Sequence, residues 1–247
     1  MVLPGGQFRL LQIAAPDVPR EEIREALRWR IHDLIDYPAD EAEIEYFPMP
    51  TSKQSHRESM VTVAVCRSVL IRELIELAQN AGLVPEVIDI PELCLRNLAA
   101  GFPEVERGVA LLFVEQIRGL LIIQKGSDVY VYRDVEVHGE ALADSLADPD
   151  SLRSGRLIDY LALEIQRSLD YYESYYGMPP IASLVVAPLA NHTQMLVDGL
   201  NQSLGVIARA MDVSAIVPCR ERLDDATQQR CLPAIGAALR RSEQGAS

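Results

Sequence analysis

VALLFVEQIRGLLIIQKGSDVYVYRDVEV, residues 109–137, carries three strand signals in succession, at 109–114, 119–124 and 129–137. Lys125-Gly126-Ser127-Asp128 supplies a turn between the last two. Downstream, the polar stretch 144–155 contains Pro149 and Gly155 and reads as a linker. A long helix is predicted over 157–175, with Ile158, Leu161, Ile165, Leu169 and Tyr172 on its inner face. A buried strand at 181–187, a helix at 193–204, a strand at 206–211 and a helix at 228–241 follow; Pro233 either kinks the last or sits in its first turn. Antiparallel strands followed by a helix and a parallel-type strand give an α/β chain, a mixed sheet flanked by helices.

Upstream of this stretch, residues 8–14 read as a strand and 20–35 as a helix. The helix has Glu21 and Glu22 in its first turn and an apolar stripe of Ile23, Leu27, Ile31, Leu34 and Ile35. Strands are expected at 42–47 and 60–66, separated by a polar loop over 51–58. A second helix over 69–80 ends before Gly82, which suits a left-handed C-terminal position. A strand at 86–90 and a helix opened by Pro91 complete this half. The chain divides into residues 1–103 and 104–247.

Of the 247 residues, 49% are hydrophobic and 24% charged, and mean hydropathy is near zero. This is globular composition. No apolar run reaches the ~18 residues of a membrane helix, and the N-terminus has no basic region leading into an apolar one. Cys66, Cys94, Cys219 and Cys231 lack CxxC spacing and read as buried small hydrophobes in a reducing compartment. A formal charge of −13 disfavours nucleic acid. Without a polybasic tract, membrane association has to run through another protein.

Catalytic signatures are missing: GxxxxGK[ST], HExxH and GxSxG do not occur. His32, His56, His138 and His192 are scattered over unrelated elements and read as surface or capping residues. Asp148 and Asp150 flank Pro149 as a solvated turn rather than a cation site. Tyr171, Tyr172, Tyr175 and Tyr176 read as half-buried packing at the end of the long helix. Trp29 lies ~200° from Leu27 around its helix, on a face with Glu22, Glu25 and Asp33 and between Arg28 and Arg30. Such a tryptophan either packs within the protein or meets a partner. Arg28, Trp29 and Asp33 are the candidate partner-binding residues.

Three longer stretches add a resemblance: EALRWRIHDLIDYPADEAEIEYF (25–47), AGLVPEVIDIPELCLRN (81–97) and LALEIQRSLDYYES (161–174). In this order they resemble the PilM family of type IV pilus assembly proteins, most of all its MshI branch from mannose-sensitive haemagglutinin (MSHA) pilus biogenesis. The resemblance implies a two-lobed actin-like fold related to FtsA. Residues 8–66 would be the small inserted subdomain of lobe one, and 104–247 lobe two. It also implies a cytoplasmic scaffold, peripheral at the inner membrane. Such a scaffold binds the cytoplasmic peptide of a PilN-like inner-membrane protein and meets other pilus platform components.

This sequence departs from the family in two ways. Nothing upstream of Phe8 supplies the first Asp-x-Gly hairpin, so lobe one is expected to lack it. In lobe two, Phe113 and Glu115 stand where Asp and Gly of the second Asp-x-Gly would be, opposing a triphosphate by bulk and by charge. Pro188 follows the adenosine-side strand where glycines are wanted. The expectation is a non-enzyme with no catalytic residue, no metal and no cofactor; the degenerate positions disfavour ATP without closing the site to it. Two alternatives stay open: an actin-fold ATPase with an incomplete first lobe, and a GspL-like cytoplasmic domain of a type II secretion platform.

Overall fold

A computed structural model describes residues 1–51, 59–147, 152–221 and 223–240. The chain forms two compact units, Met1–Pro91 and Glu92–Ser247. That division falls earlier than the one expected at Pro103, because Leu95, Leu98, Ala99 and Phe102 are buried in the core of the second unit.

The first unit is built from β1 (Phe8–Ala14), α1 (Ile23–Ile31), β2 (Ala42–Pro48), β3 (Met60–Arg67) and α2 (Ser68–Asn80). Its three strands form an antiparallel sheet in the order β1-β3-β2. Leu27 and Ile31, one helical turn apart on α1, lie on Ala42 and Ile44 of β2 and Val61, Val63 and Val65 of β3. The expected helix over 20–35 is shorter and flanked by 3-10 turns at Arg20–Glu22 and His32–Leu34. Ile35 is already extended, at φ −115° and ψ 156°.

Gly82, at φ 75°, closes α2, and the Leu83 N–H turns back to the Ala78 carbonyl at 2.9 Å. The strand expected at 86–90 does not form. Asp89 makes a single parallel bridge to Val2. The run it meets is cut short by Pro4-Gly5-Gly6, and proline has no N–H with which to continue a ladder.

In the second unit, α3 (Pro91–Ala99) precedes β4 (Val109–Val114), β5 (Gly119–Lys125) and β6 (Asp128–Val135). Then come α4 (Gly139–Leu146), α5 (Leu152–Tyr176), β7 (Ser183–Val186), α6 (Thr193–Ser203), β8 (Ala208–Ala210) and α7 (Asp225–Ala238). The sheet order is β6-β5-β4-β7-β8. β4 pairs antiparallel with β5 and parallel with β7, so it is the seam of the mixed sheet.

Alternation along β4 serves two cores. Ala110, Leu112 and Val114 pack with Leu142 of α4, Leu161 and Ile165 of α5 and Leu196 of α6. Val109, Leu111 and Phe113 pack with Leu95 and Leu98 of α3 and Leu232 of α7. With helices on both faces, every residue of β4 is buried.

The linker expected at 144–155 is helical where it is described, except at the turn residue Ala147: it begins within α4 and ends within α5, where Gly155 is helical. Asp148, Pro149 and Asp150 lie outside the described residues, as does His56. Cys66 and Cys94 are buried, but Cys219 and Cys231 are exposed, which corrects the expectation of four buried thiols. Tyr172 and Tyr176 are buried, with Tyr130 edge-on to both at 5.3 and 5.1 Å between ring centres. The exposed Tyr171 stacks on Tyr175 at 4.8 Å.

Candidate functional site

In open α/β sheets, ligands bind beyond the carboxyl ends of parallel strands. Here that edge follows Val114 of β4 and Val186 of β7. It is tied up by the chain's own side chains. Gln229 of α7 donates from Nε2 to the Val114 carbonyl at 3.0 Å, and its Oε1 accepts from the Ala190 N–H at 3.2 Å. Thr193, at the start of α6, accepts from the Leu189 N–H at 2.9 Å and donates to Asp225 Oδ2 at 2.9 Å. The loop amides at Leu189 and Ala190 are therefore already bonded. Ala190 adopts φ 40°, a left-handed conformation unusual for alanine. Asp224 caps α7 through the Thr227 N–H at 2.7 Å, and that hydrogen bond holds its carboxyl below the usual range.

Beside this edge is the β4–β5 hairpin. Its tip is closed by Glu115 N–H donating to the Arg118 carbonyl at 2.7 Å. Among the described residues the Arg118 guanidinium meets three carboxylates: Asp134 of β6 at 2.6 Å, Glu115 at 2.9 Å and Glu92 of α3 at 3.2 Å. Burial pulls the Arg118 pKa down, but Glu92, Asp134 and Glu115 together raise it overall. Burial pushes Glu92 up to about 7 against the attraction of Arg118. One cation among three acids makes a poor seat for a phosphate. Among the described residues no group of three or more His, Cys, Asp or Glu could hold a metal.

Of the positions singled out in the sequence, Glu115 lies at the hairpin tip, bound to Arg118. Pro188 is buried in the loop after β7, two residues before the amide that Gln229 takes. Phe113 is elsewhere: its ring is buried in the second core beside Leu111 and Leu120, not turned to the hairpin mouth.

In the first unit, Arg28 turns inward and donates to the Ala39 and Ala42 carbonyls, the latter at 2.8 Å. Trp29 is 75% exposed. Asp33 is exposed and accepts from His32 at 2.9 Å. Glu92, Arg118, Thr193, Asp225 and Gln229 escaped the sequence reading. The one usable signal was Arg118, a lone cation between two apolar runs.

No protein-family model and no curated protein matches the chain. Among solved structures it is similar to a PilM–PilN type IV pilus biogenesis complex, with 22% identity and a TM-score of 0.69, over 96% of this chain and 77% of that one. More distant is a Bacteroides thetaiotaomicron protein with an actin-like ATPase fold and unknown function: 10% identity, TM-score 0.46, 86% of this chain and 70% of that one. At a similar distance is the cytoplasmic domain of EpsL, an inner-membrane component of the Vibrio cholerae type II secretion system: 12% identity, TM-score 0.45, 96% and 72%. The mixed sheet flanked by helices, with β4 as its seam, is an actin-like fold.

Proposed function

We propose that this chain is a non-catalytic scaffold of a type IV pilus assembly platform of the MSHA type, an MshI-like member of the PilM group. In this reading it binds the cytoplasmic peptide of a PilN-like inner-membrane protein. It works at the cytoplasmic face of that membrane, held there by protein partners that include other platform components. The observation that carries the reading is the likeness of fold, across nearly the whole chain, to a chain from a PilM–PilN complex. No helix among the described residues is long and apolar enough to cross a membrane, which agrees with attachment through a partner. The non-catalytic part rests on the tied edge, where Gln229 and Thr193 take the loop amides and three acids surround Arg118.

The test is a titration with a peptide copying the cytoplasmic N-terminus of a PilN-like protein, followed by the fluorescence of Trp29, the single tryptophan. Its exposure makes it responsive to a bound chain. Saturable binding is expected, and its absence counts against the scaffold. A parallel titration with a fluorescent ATP analogue should show no saturation at micromolar concentration. Saturation there would favour the ATPase alternative.

A further inference from the structure

Glu92 is 3% exposed, in the first turn of α3. Its Oε1 lies 3.2 Å from Arg118. Its Oε2 is buried and has no hydrogen-bond partner among the described residues. Among the described residues the charged groups around it are Arg118 and Glu115 from the β4–β5 hairpin and Asp134 from β6. On its own helix, Arg96 is turned to Asn97 at 3.0 Å. The other elements against α3 present α7 at Gly236, which accepts from Asn97, and apolar side chains of β4.

Arg118 is therefore shared. When ionised, Glu92 is the third carboxylate on one guanidinium, with a bare anionic oxygen out of reach of water. When protonated, it leaves two carboxylates to Arg118, and the proton can sit on Oε2. We infer that Glu92 is a proton-operated latch between the first turn of α3 and the β4–β5 hairpin, seated when neutral and released when ionised. The latch is independent of which partner the scaffold takes.

The sign follows from linkage. Burial raises the carboxyl in the seated state to about 7 from an ordinary 4.5, so the seated state binds the proton more tightly than the released one. Seating is fully favoured below the ordinary carboxylate range. It weakens as pH rises towards 7 and is constant above.

Hydrogen exchange of the full chain, corrected for intrinsic rates and run from about pH 5.5 to about pH 8.5, reads the latch directly. Protection of amides in the first turn of α3 and the hairpin tip should fall by up to about tenfold per pH unit until pH 7, then level off. In Glu92→Gln the same amides should stay protected at every pH. A flat wild-type profile, or a Glu92→Gln profile that follows the wild type, overturns the latch. Carbon-13 titration of the unsubstituted protein's glutamate carboxyls decides independently of whether Glu92→Gln folds. One midpoint near 7 is expected; every midpoint within the ordinary range, about 4.2 ± 0.9, overturns the inference.

Discussion

The strands β2 and β4 bury their residues by different rules. In the first unit, β2 alternates: Ala42 and Ile44 are buried on the α1 side while Glu43 and Glu45 face water. In the second unit, β4 has no solvent face, because α4, α5 and α6 cover one side and α3 and α7 the other. A strand with one covered face writes a period of two into its sequence, whereas a strand between two layers erases it. Neighbouring residues should accordingly be energetically unlike in β2 and alike in β4.

The strongest challenge to that contrast is a pair of substitutions in β4. Leu111→Ala and Leu112→Ala point to opposite cores and should each cost about 2–5 kcal/mol in urea denaturation. If either is neutral, the two-layer account fails. In β2, Ile44→Ala should cost about 2 kcal/mol and adjacent Glu43→Ala less than about 0.5. Equal costs would remove the alternation.

The second layer also needs α3 and α7 in close approach, since a Cβ on Gly236 would collide with the Cys94 carbonyl. Gly236→Ala should therefore lower stability by about 1–3 kcal/mol, read as a lower melting temperature. The smallest effect is expected at Trp29. Trp29→Ala should change stability by less than about 0.5 kcal/mol, and a larger loss would mean that the indole is a packing residue.

What the sequence revealed follows from the same contrast. The strands at 109–137 were legible because long apolar runs bounded by turns resemble nothing else. The helix Gly139–Leu146 was hidden, since GEALADSL is too short to show a helical period and its last residues read as the start of the linker expected at 144–155. The supposed strand at 86–90 shows the opposite error: residues of strand length whose partner segment at Val2 is too short to build a ladder. The placement of Phe113 was recoverable from parity, because it shares the face of Leu111 and belongs with that core. The tied edge was not legible. Gln229 reaches Val114 from a helix far along the chain, and Glu92 meets Arg118 across two elements. Spacing along one dimension does not report such meetings.

The hairpin tip also leaves a mark that evolution has to respect. Gly139 donates its N–H to the Glu115 carbonyl, and a Cβ there would stand 2.7 Å from that oxygen. Any descendant that keeps the Glu115–Arg118 tip in this form has no room for a side chain at position 139. The pair, Glu-x-x-Arg followed after the next hairpin by an obligatory glycine, is a covariation that can be searched for among chains too diverged to align.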